Sequence, residues 1–359
     1  MIKKRMAHFH TLKVKDIRKE TADCVSVAFE IPENLKKDFA YKAGQYLTLK
    51  FKVNGEEVRR SYSLSSSPEA DSDFRIAVKK VENGKMSNYL NNVLKIGDSI
   101  ESMPPQGNFT LKDVAPKHYV GFAVGSGITP VISILKTAMA LNNGSTFTLF
   151  YGNKSAADTI FKAELDALNN KYENLQVVYI FSRENQAEAL LNGRLNNEKC
   201  SALINTYCND TLAKEYYLCG PEDMIVSVSE SLKNQGVSKN AIHFELFTTP
   251  VTMAGNAKSQ SEAFTGKSQV TVIIDDRPYS FELSSSGKNI LDASMDAGAD
   301  APFSCKGAVC CTCKAKIVEG KAIMDMNYAL SDSEVEEGFI LTCQSHPASE
   351  KLVVNFDAI

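Results

Sequence analysis

Five of the nine cysteines, Cys305, Cys310, Cys311, Cys313 and Cys343, gather near the C-terminus, while Cys24, Cys200, Cys208 and Cys219 are scattered. Cys305, Cys310 and Cys313 stand at C-x4-C-x2-C, and Cys343 lies far downstream on Leu341-Thr342-Cys343-Gln344. Four thiolates at this spacing hold a [2Fe-2S] centre, two of them completing the tetrahedral shell of each iron beside the bridging sulfides. A tight loop brings the first three together, and a distant strand end supplies the fourth. A structural zinc site or buried free thiols would use the same atoms. Zinc ribbons, however, usually pair two short C-x2-C knuckles, whereas here three ligands come from one loop. Counting Cys311 as a ligand would give C-x5-C-x-C, so it is read as a non-ligating neighbour. In a reducing cytosol a disulfide framework does not persist, which leaves a metal centre as the expected use of the cluster.

Other segments carry residue types suited to phosphate and hydride chemistry. Gly125-Ser126-Gly127-Ile128-Thr129-Pro130 follows an apolar run and opens a helical pattern. Glycines there let phosphate approach the backbone, and a helix N-terminus faces it. Cys219-Gly220-Pro221 ends another apolar run, and Tyr151-Gly152-Asn153 and Ser182-Arg183-Glu184 stand at further strand ends, where open α/β sheets bind ligands. An arginine at such a strand end, here Arg183, can pair with the 2′-phosphate of NADP, which makes NADPH the expected donor over NADH. A tyrosine in a hairpin ordinarily packs and a serine opening a helix ordinarily caps it, so such segments carry weight only in combination.

The elements that must hold these residues follow from the pattern. Short alternating runs fill Leu12 to Thr110, among them Tyr46 to Val53 and Arg59 to Leu64 joined across Asn54-Gly55, a hairpin signal, then Arg75 to Val81 and a helix at Met86 to Leu94. From Tyr119 the period changes. Continuous apolar runs at Tyr119 to Val124, Thr146 to Tyr151, Leu175 to Phe181 and Tyr216 to Cys219 alternate with helical stretches at Pro130 to Leu141, Phe161 to Leu168 and Glu222 to Leu232, the signature of a parallel sheet. Thr248 to Ser268 is rich in Thr, Ser, Gly, Ala and Lys and reads as a linker. Beyond it, strands at Val270 to Ile274, Tyr279 to Leu283 and Leu352 to Phe356, with a helix at Asn289 to Ala297, enclose the cysteines. The 359 residues exceed one ordinary core. A net charge of −3 with 23% charged residues carries no polyanion-binding bias, so nucleic acid is not an expected partner. The basic start, Lys3-Lys4-Arg5, develops no apolar signal core, and glycines and a proline break the longest apolar run, so a cytoplasmic chain that makes no membrane span is expected.

Residues 269–359 resemble a plant-type ferredoxin domain, with the loop Cys305-Lys306-Gly307-Ala308-Val309-Cys310 departing from the family where Ala308 replaces a usual glycine. Arg60-Ser61-Tyr62-Ser63 resembles the R-x-Y-[ST] flavin motif of ferredoxin-reductase-like proteins. The resemblance implies that Arg60 meets the pyrophosphate, Tyr62 packs on the flavin, and Ser63 hydrogen-bonds near flavin N5, where hydride arrives. Gly84-Lys85-Met86-Ser87-Asn88-Tyr89-Leu90 resembles the second motif of that family, G-x-x-S-x-x-L, a diphosphate site made by helix N-H groups and the Ser87 hydroxyl. The Gly125 to Pro130 turn resembles G-x-G-[IL]-[TA]-P, and Cys219-Gly220-Pro221 resembles the C-G-P beside the nicotinamide. Glu245 matches the place where related reductases bring a carboxylate toward the flavin.

The expected organisation is therefore a multidomain α+β and α/β chain. It comprises an antiparallel FAD-binding β-barrel (1–112), a parallel-sheet NAD(P)-binding domain (113–247), a linker (248–268) and a β-grasp ferredoxin domain (269–359). That order is similar to oxygenase reductases, which implies hydride transfer from NADPH to FAD and single electrons passed through the cluster to a partner oxygenase. The linker is expected to let the ferredoxin domain visit first the flavin and then its acceptor. Two alternatives share the same residues: a reductase for another acceptor such as a ring-hydroxylating dioxygenase, with FMN and NADH, and a zinc-stabilised interaction module fused to a nucleotide-sensing domain.

Overall fold

A computed structural model describes residues 8–53, 55–111, 115–208, 213–249 and 264–358. The expected linker therefore lies mostly outside the described residues, as does Asn54 of the hairpin turn.

The N-terminal strands are β1 (His10–Thr21), β2 (Cys24–Glu30), β3 (Tyr46–Val53), β4 (Glu56–Ser63), β5 (Phe74–Lys79) and β6 (Ser99–Ser102), with α1 (Lys85–Asn92) between β5 and β6. They form one antiparallel sheet in the order β4-β3-β6-β1-β2-β5. A bridge between Leu64 and Ile76 brings the end of β4 onto β5 and closes the barrel. Alternate residues such as Leu12, Val14, Leu47, Leu49 and Ile76 fill its interior, and Met86 and Leu90 of α1 cap it. In the hairpin, Val53 stands opposite Glu56, so two residues make the turn, and Gly55 takes the φ of +82° that such a turn requires.

The central domain runs β7 (His118–Val124), α2 (Ile128–Ala140), β8 (Thr146–Asn153), α3 (Lys162–Lys171), β9 (Leu175–Phe181), α4 (Asn197–Tyr207), β10 (Lys214–Cys219), α5 (Glu222–Asn234) and β11 (Ile242–Glu245). Its sheet is wholly parallel, ordered β11-β10-β7-β8-β9. β7 shows why its run is unbroken by polar residues: Tyr119 and Ala123 enter the core under α2 and α3, while Val120 and Phe122 enter the core under α4 and α5. With helices on both faces, a strand has no solvent side. The helix α4 lies where the sequence pattern predicts none; it starts at Asn196, whose side chain accepts from the Lys199 N-H, and buries only Cys200, Leu203 and Ile204.

The C-terminal domain contains β12 (Lys267–Ile274), β13 (Arg277–Ser284), α6 (Ile290–Asp296), β14 (Lys314–Glu319), β15 (Ala322–Met324), α7 (Asp332–Glu336), β16 (Phe339–Leu341), β17 (Ser345–Pro347) and β18 (Lys351–Asn355). The mixed sheet β13-β12-β18-β14-β16, with β12 and β18 parallel, folds around Ile290 and Leu291 of α6 as a β-grasp. Residues 305–313 form a loop outside this sheet. The domain packs against both others: Val309 and Tyr328 contact the α4/α5 core, and Arg59 lies 4.4 Å from the Phe303 ring.

Candidate functional site

The loop from Cys305 to Cys313 has no regular backbone ladder. Lys306 and Ala308 adopt φ of +52° and +63°, the left-handed region that glycine favours, so alanine at 308 keeps the turn at some conformational cost. The sulfurs are brought together in two pairs. Cys310 Sγ donates to Cys305 Sγ over 3.1 Å. This shared proton lowers the Cys305 thiol and drives Cys310 up. Cys313 and Cys343 interact likewise, hydrogen bonding raising the first and lowering the second. Among the described residues no three His, Cys, Asp or Glu side chains converge on one ion position. Two thiol pairs suit two irons with two thiolates each better than one tetrahedral zinc. Buried thiolates need compensating positive charge, which ferric iron supplies together with an N-H such as that of Gly307, 3.3 Å from Cys305 Sγ. Cys311 turns away: its Sγ donates to the Ala329 carbonyl at 3.3 Å and accepts from Asn108 at 3.7 Å, and burial raises its thiol.

A cleft of about 680 Å³ opens beside β4 and α1, lined by Arg60, Tyr62, Ser63 and the Gly84 to Ser87 segment together with Ser126 and Thr129. Arg60 is exposed and hydrogen-bonded through Nη1 to the Arg59 carbonyl, 2.7 Å, so its remaining donors are available to a phosphate. Tyr62 is half-buried, which raises its phenol. No side chain caps α1 at Gly84, leaving first-turn N-H groups for an anion. Ser87 is buried, and its Oγ accepts from the Val81 N-H at 3.1 Å, so its hydroxyl also shapes the turn. Cleft and donors fit a flavin with a diphosphate arm.

The nicotinamide candidates assemble at the carboxyl edge of the parallel sheet. Cys219 pairs in register with Glu245 on one side and Ala123 on the other, Val124 with Gly152, and Asn153 with Phe181. Gly125, Gly127, Cys219, Glu245 and Ser182 therefore stand in one row. Gly127 is obligatory by contact: a Cβ there would lie 2.0 Å from the Cys219 carbonyl oxygen. That close approach seats the start of α2, with Thr129 Oγ1 donating to the Ser126 carbonyl at 3.0 Å and Pro130 in the first turn. Gly220 packs tightly too, its missing Cβ 2.6 Å from Met224 Cε, and Pro221 leads into α5. Ser63 Oγ donates to Glu245 at 2.8 Å, joining the barrel to the last parallel strand. Burial pushes the Glu245 carboxyl up to about 8, against the lowering effect of Ser63, while Cys219 is fully buried and its thiol raised. Ser182 and Arg183 are exposed on the far side of the edge.

Some site residues escape sequence reasoning. Phe247 and Thr248 line the flavin cleft, and Tyr46, Thr48 and Thr312 join the barrel to the cysteine loop. A smaller gap of about 360 Å³ has Arg60, Ser63 and Glu245 on one wall and Cys305 and Cys310 on the other. The aromatic two places after Glu245 is a visible signal; the hydroxyls carry none.

A flavin cleft, a nicotinamide edge and a paired-thiol loop facing a common gap define an electron-transferring reductase module. The "Oxidoreductase FAD-binding domain" family matches residues 11–111, the "Oxidoreductase NAD-binding domain" family 122–230, and the "2Fe-2S iron-sulfur cluster binding domain" family 272–348. The chain is 38% identical over 98% of its length, and 99% of the relative's, to one of the subunits of the 1,2-phenylacetyl-CoA epoxidase of Escherichia coli (strain K12). It is 31% identical over 96% of both chains to the "3-ketosteroid-9-alpha-monooxygenase, ferredoxin reductase component" of Rhodococcus rhodochrous. Phthalate dioxygenase reductase shares the fold at a TM-score of 0.59 and 24% identity, covering 97% of this chain and 98% of that one. The chain belongs to the family of FAD- and NAD-binding oxidoreductases with a 2Fe-2S domain that includes these oxygenase reductase components. No helix among the described residues is long and apolar enough to cross a membrane.

Proposed function

We propose that this reductase takes hydride from NADPH and delivers electrons singly to a cytoplasmic oxygenase component, the di-iron phenylacetyl-CoA epoxidase being the first acceptor to try. The observation that carries this reading is the common gap: Ser63 and Glu245 on one wall and Cys305 and Cys310 on the other, next to the flavin cleft. Bound FAD supplies the chemistry no side chain here can, accepting an electron pair and releasing it one electron at a time. The chain's own part is to bind and orient. Arg60 pairs with the diphosphate, aided by the α1 N-H groups, and Tyr62 packs on the flavin ring. Gly125 and Gly127 admit the nicotinamide phosphates, and Cys219, Gly220 and Pro221 wall the ring. Ser63 holds the Glu245 carboxyl, protonated near neutrality, beside the flavin edge. Cys305 with Cys310, and Cys313 with Cys343, hold the two irons. Arg183, exposed at the end of β9 beside Ser182, supports NADPH over NADH.

The test is an anaerobic spectral titration of the purified protein with NADPH and separately with NADH. Bleaching of flavin and iron-sulfur bands by substoichiometric NADPH is expected. A protein holding zinc and no chromophore after reconstitution would overturn the reading. Turnover with purified phenylacetyl-CoA epoxidase oxygenase, but not with a ring-hydroxylating dioxygenase, would fix the acceptor.

A further inference from the structure

An unbroken chain of hydroxyls runs between the flavin barrel and the cysteine loop. The Cys311 N-H donates to Tyr46 Oη at 2.8 Å, and Tyr46 Oη lies 3.4 Å from Thr312 Oγ1. Thr312 Oγ1 lies 3.2 Å from Thr48 Oγ1, which lies 3.3 Å from Ser61 Oγ, and Ser61 donates to Ser304 Oγ at 2.9 Å. Thr48 and Ser61 are register partners on β3 and β4. Tyr46, Thr48, Thr312 and Ser304 are all buried, so their hydroxyls depend on protein partners, Thr312 on the Cys310 thiol as well as on this chain. The two ends of the chain are the residues that flank one thiol pair: Ser304 precedes Cys305, and Cys311 follows Cys310. That pair, unlike Cys313 and Cys343, lines the gap shared with Ser63 and Glu245.

We propose that Tyr46, Thr48 and Thr312 form a docking latch that positions the Cys305–Cys310 side of the cluster for electron entry from the flavin, an inference that rests on the reductase function proposed above. An electron passed from a bound reduced flavin to the cluster would lower the cluster charge by one, and no latch residue would be oxidised or deprotonated. Hydroxyls suit this duty because hydrogen bonds exchange with water at small net cost. A dock built from them is directional yet reversible, whereas a wholly apolar contact would hold the domain permanently. Tyr46, Thr48 and Thr312 are positioning residues, distinct from the groups that receive hydride.

The test compares full-length holoprotein with Tyr46→Phe and with Tyr46→Phe/Thr48→Val, changes confined to the barrel side so that the cysteine loop keeps its sequence. Anaerobic stopped-flow with NADPH reads flavin and cluster bleaching separately, and hydrogen exchange reads the Cys311 amide. Flavin reduction should stay within about two-fold of the parent. Cluster reduction should slow about five-fold in the single variant, the Boltzmann factor of one net hydrogen bond, and further in the double. The Cys311 amide, deprived of its acceptor, should exchange faster while the resting cluster spectrum is unchanged. As a second handle on the barrel side, Thr48→Val should reproduce the slowing and Thr48→Ser should not. Unaltered cluster reduction together with unaltered Cys311 exchange would overturn the latch alone. Failure of NADPH to bleach flavin in the parent protein would instead overturn the functional reading and the latch with it.

Discussion

The turn proposed to take the nicotinamide phosphates and the loop proposed to hold the cluster are both short segments, yet they are built in opposite ways. The turn from Gly125 to Gly127 joins β7 to α2, and Gly127 is pressed against the Cys219 carbonyl so closely that no Cβ fits. Its shape is dictated by packed strands and exists before any ligand arrives. The loop from Cys305 to Cys313 has left-handed backbone at Lys306 and Ala308 and thiols in contact, an arrangement costly without metal. One site is made by the fold; the other is completed by what it binds.

The strongest way to break this contrast is to remove a cluster ligand. Cys343→Ala should abolish the iron-sulfur absorption outright, while NADPH-driven reduction of ferricyanide at the flavin stays within about two-fold; Cys311→Ser should keep the cluster. Loss of ferricyanide activity in a folded Cys343→Ala protein would mean that the two sites are not separately built. Next in size, Gly127→Ala should lower kcat/KM for NADPH roughly 100-fold, about 3 kcal/mol for forcing the α2 start away from β10, with flavin and cluster spectra intact. An ordinary KM and kcat would show that the turn is softer than its contacts indicate. Ser63→Ala should slow flavin reduction roughly ten-fold, the worth of one well-placed hydrogen bond, measured as the bleaching rate at saturating NADPH.

Acid offers the smallest and most selective test. The turn contains no titratable side chain, so its acid limit is set by its supports. In the adjoining barrel Lys15 and then Arg75 hold the Asp73 carboxyl down to about 2. A depressed carboxyl contributes stability that is whole above its ordinary 3.8 and is lost as pH falls from there through about 2. Barrel unfolding followed by circular dichroism should therefore steepen below about pH 4, and Asp73→Asn should flatten that slope.

Much of this architecture is legible because periodicity reports burial. The runs at Leu175 to Phe181 and Tyr46 to Val53 coincide with β9 and β3 to the residue. α4 and β14 are not visible in the pattern: α4 buries only three side chains, and Lys314-Ala315-Lys316-Ile317-Val318-Glu319 interleaves charge with apolar residues on a half-exposed strand. Motifs with a local backbone requirement, such as the glycine turn and the cysteine spacing, can be read directly. Contacts between distant segments cannot. Thr48 and Thr312 lie 264 residues apart, and a lone threonine announces no partner.

β4 serves two customers from one ribbon. Arg59 and Ser61 engage Phe303 and Ser304 of the ferredoxin domain, while Val58 and Tyr62, one step out of phase, pack with the barrel core. Because strand side chains alternate, inserting a single residue just beyond Gly55 would exchange the two sets at once, turning the Val58 side of the ribbon outward and the Arg59 side into the barrel, so that core packing and the seat of the neighbouring domain are lost together. The wiring of this reductase is thus written in the parity of one strand, and an odd-numbered insertion or deletion there is a heavier lesion than any single substitution along it.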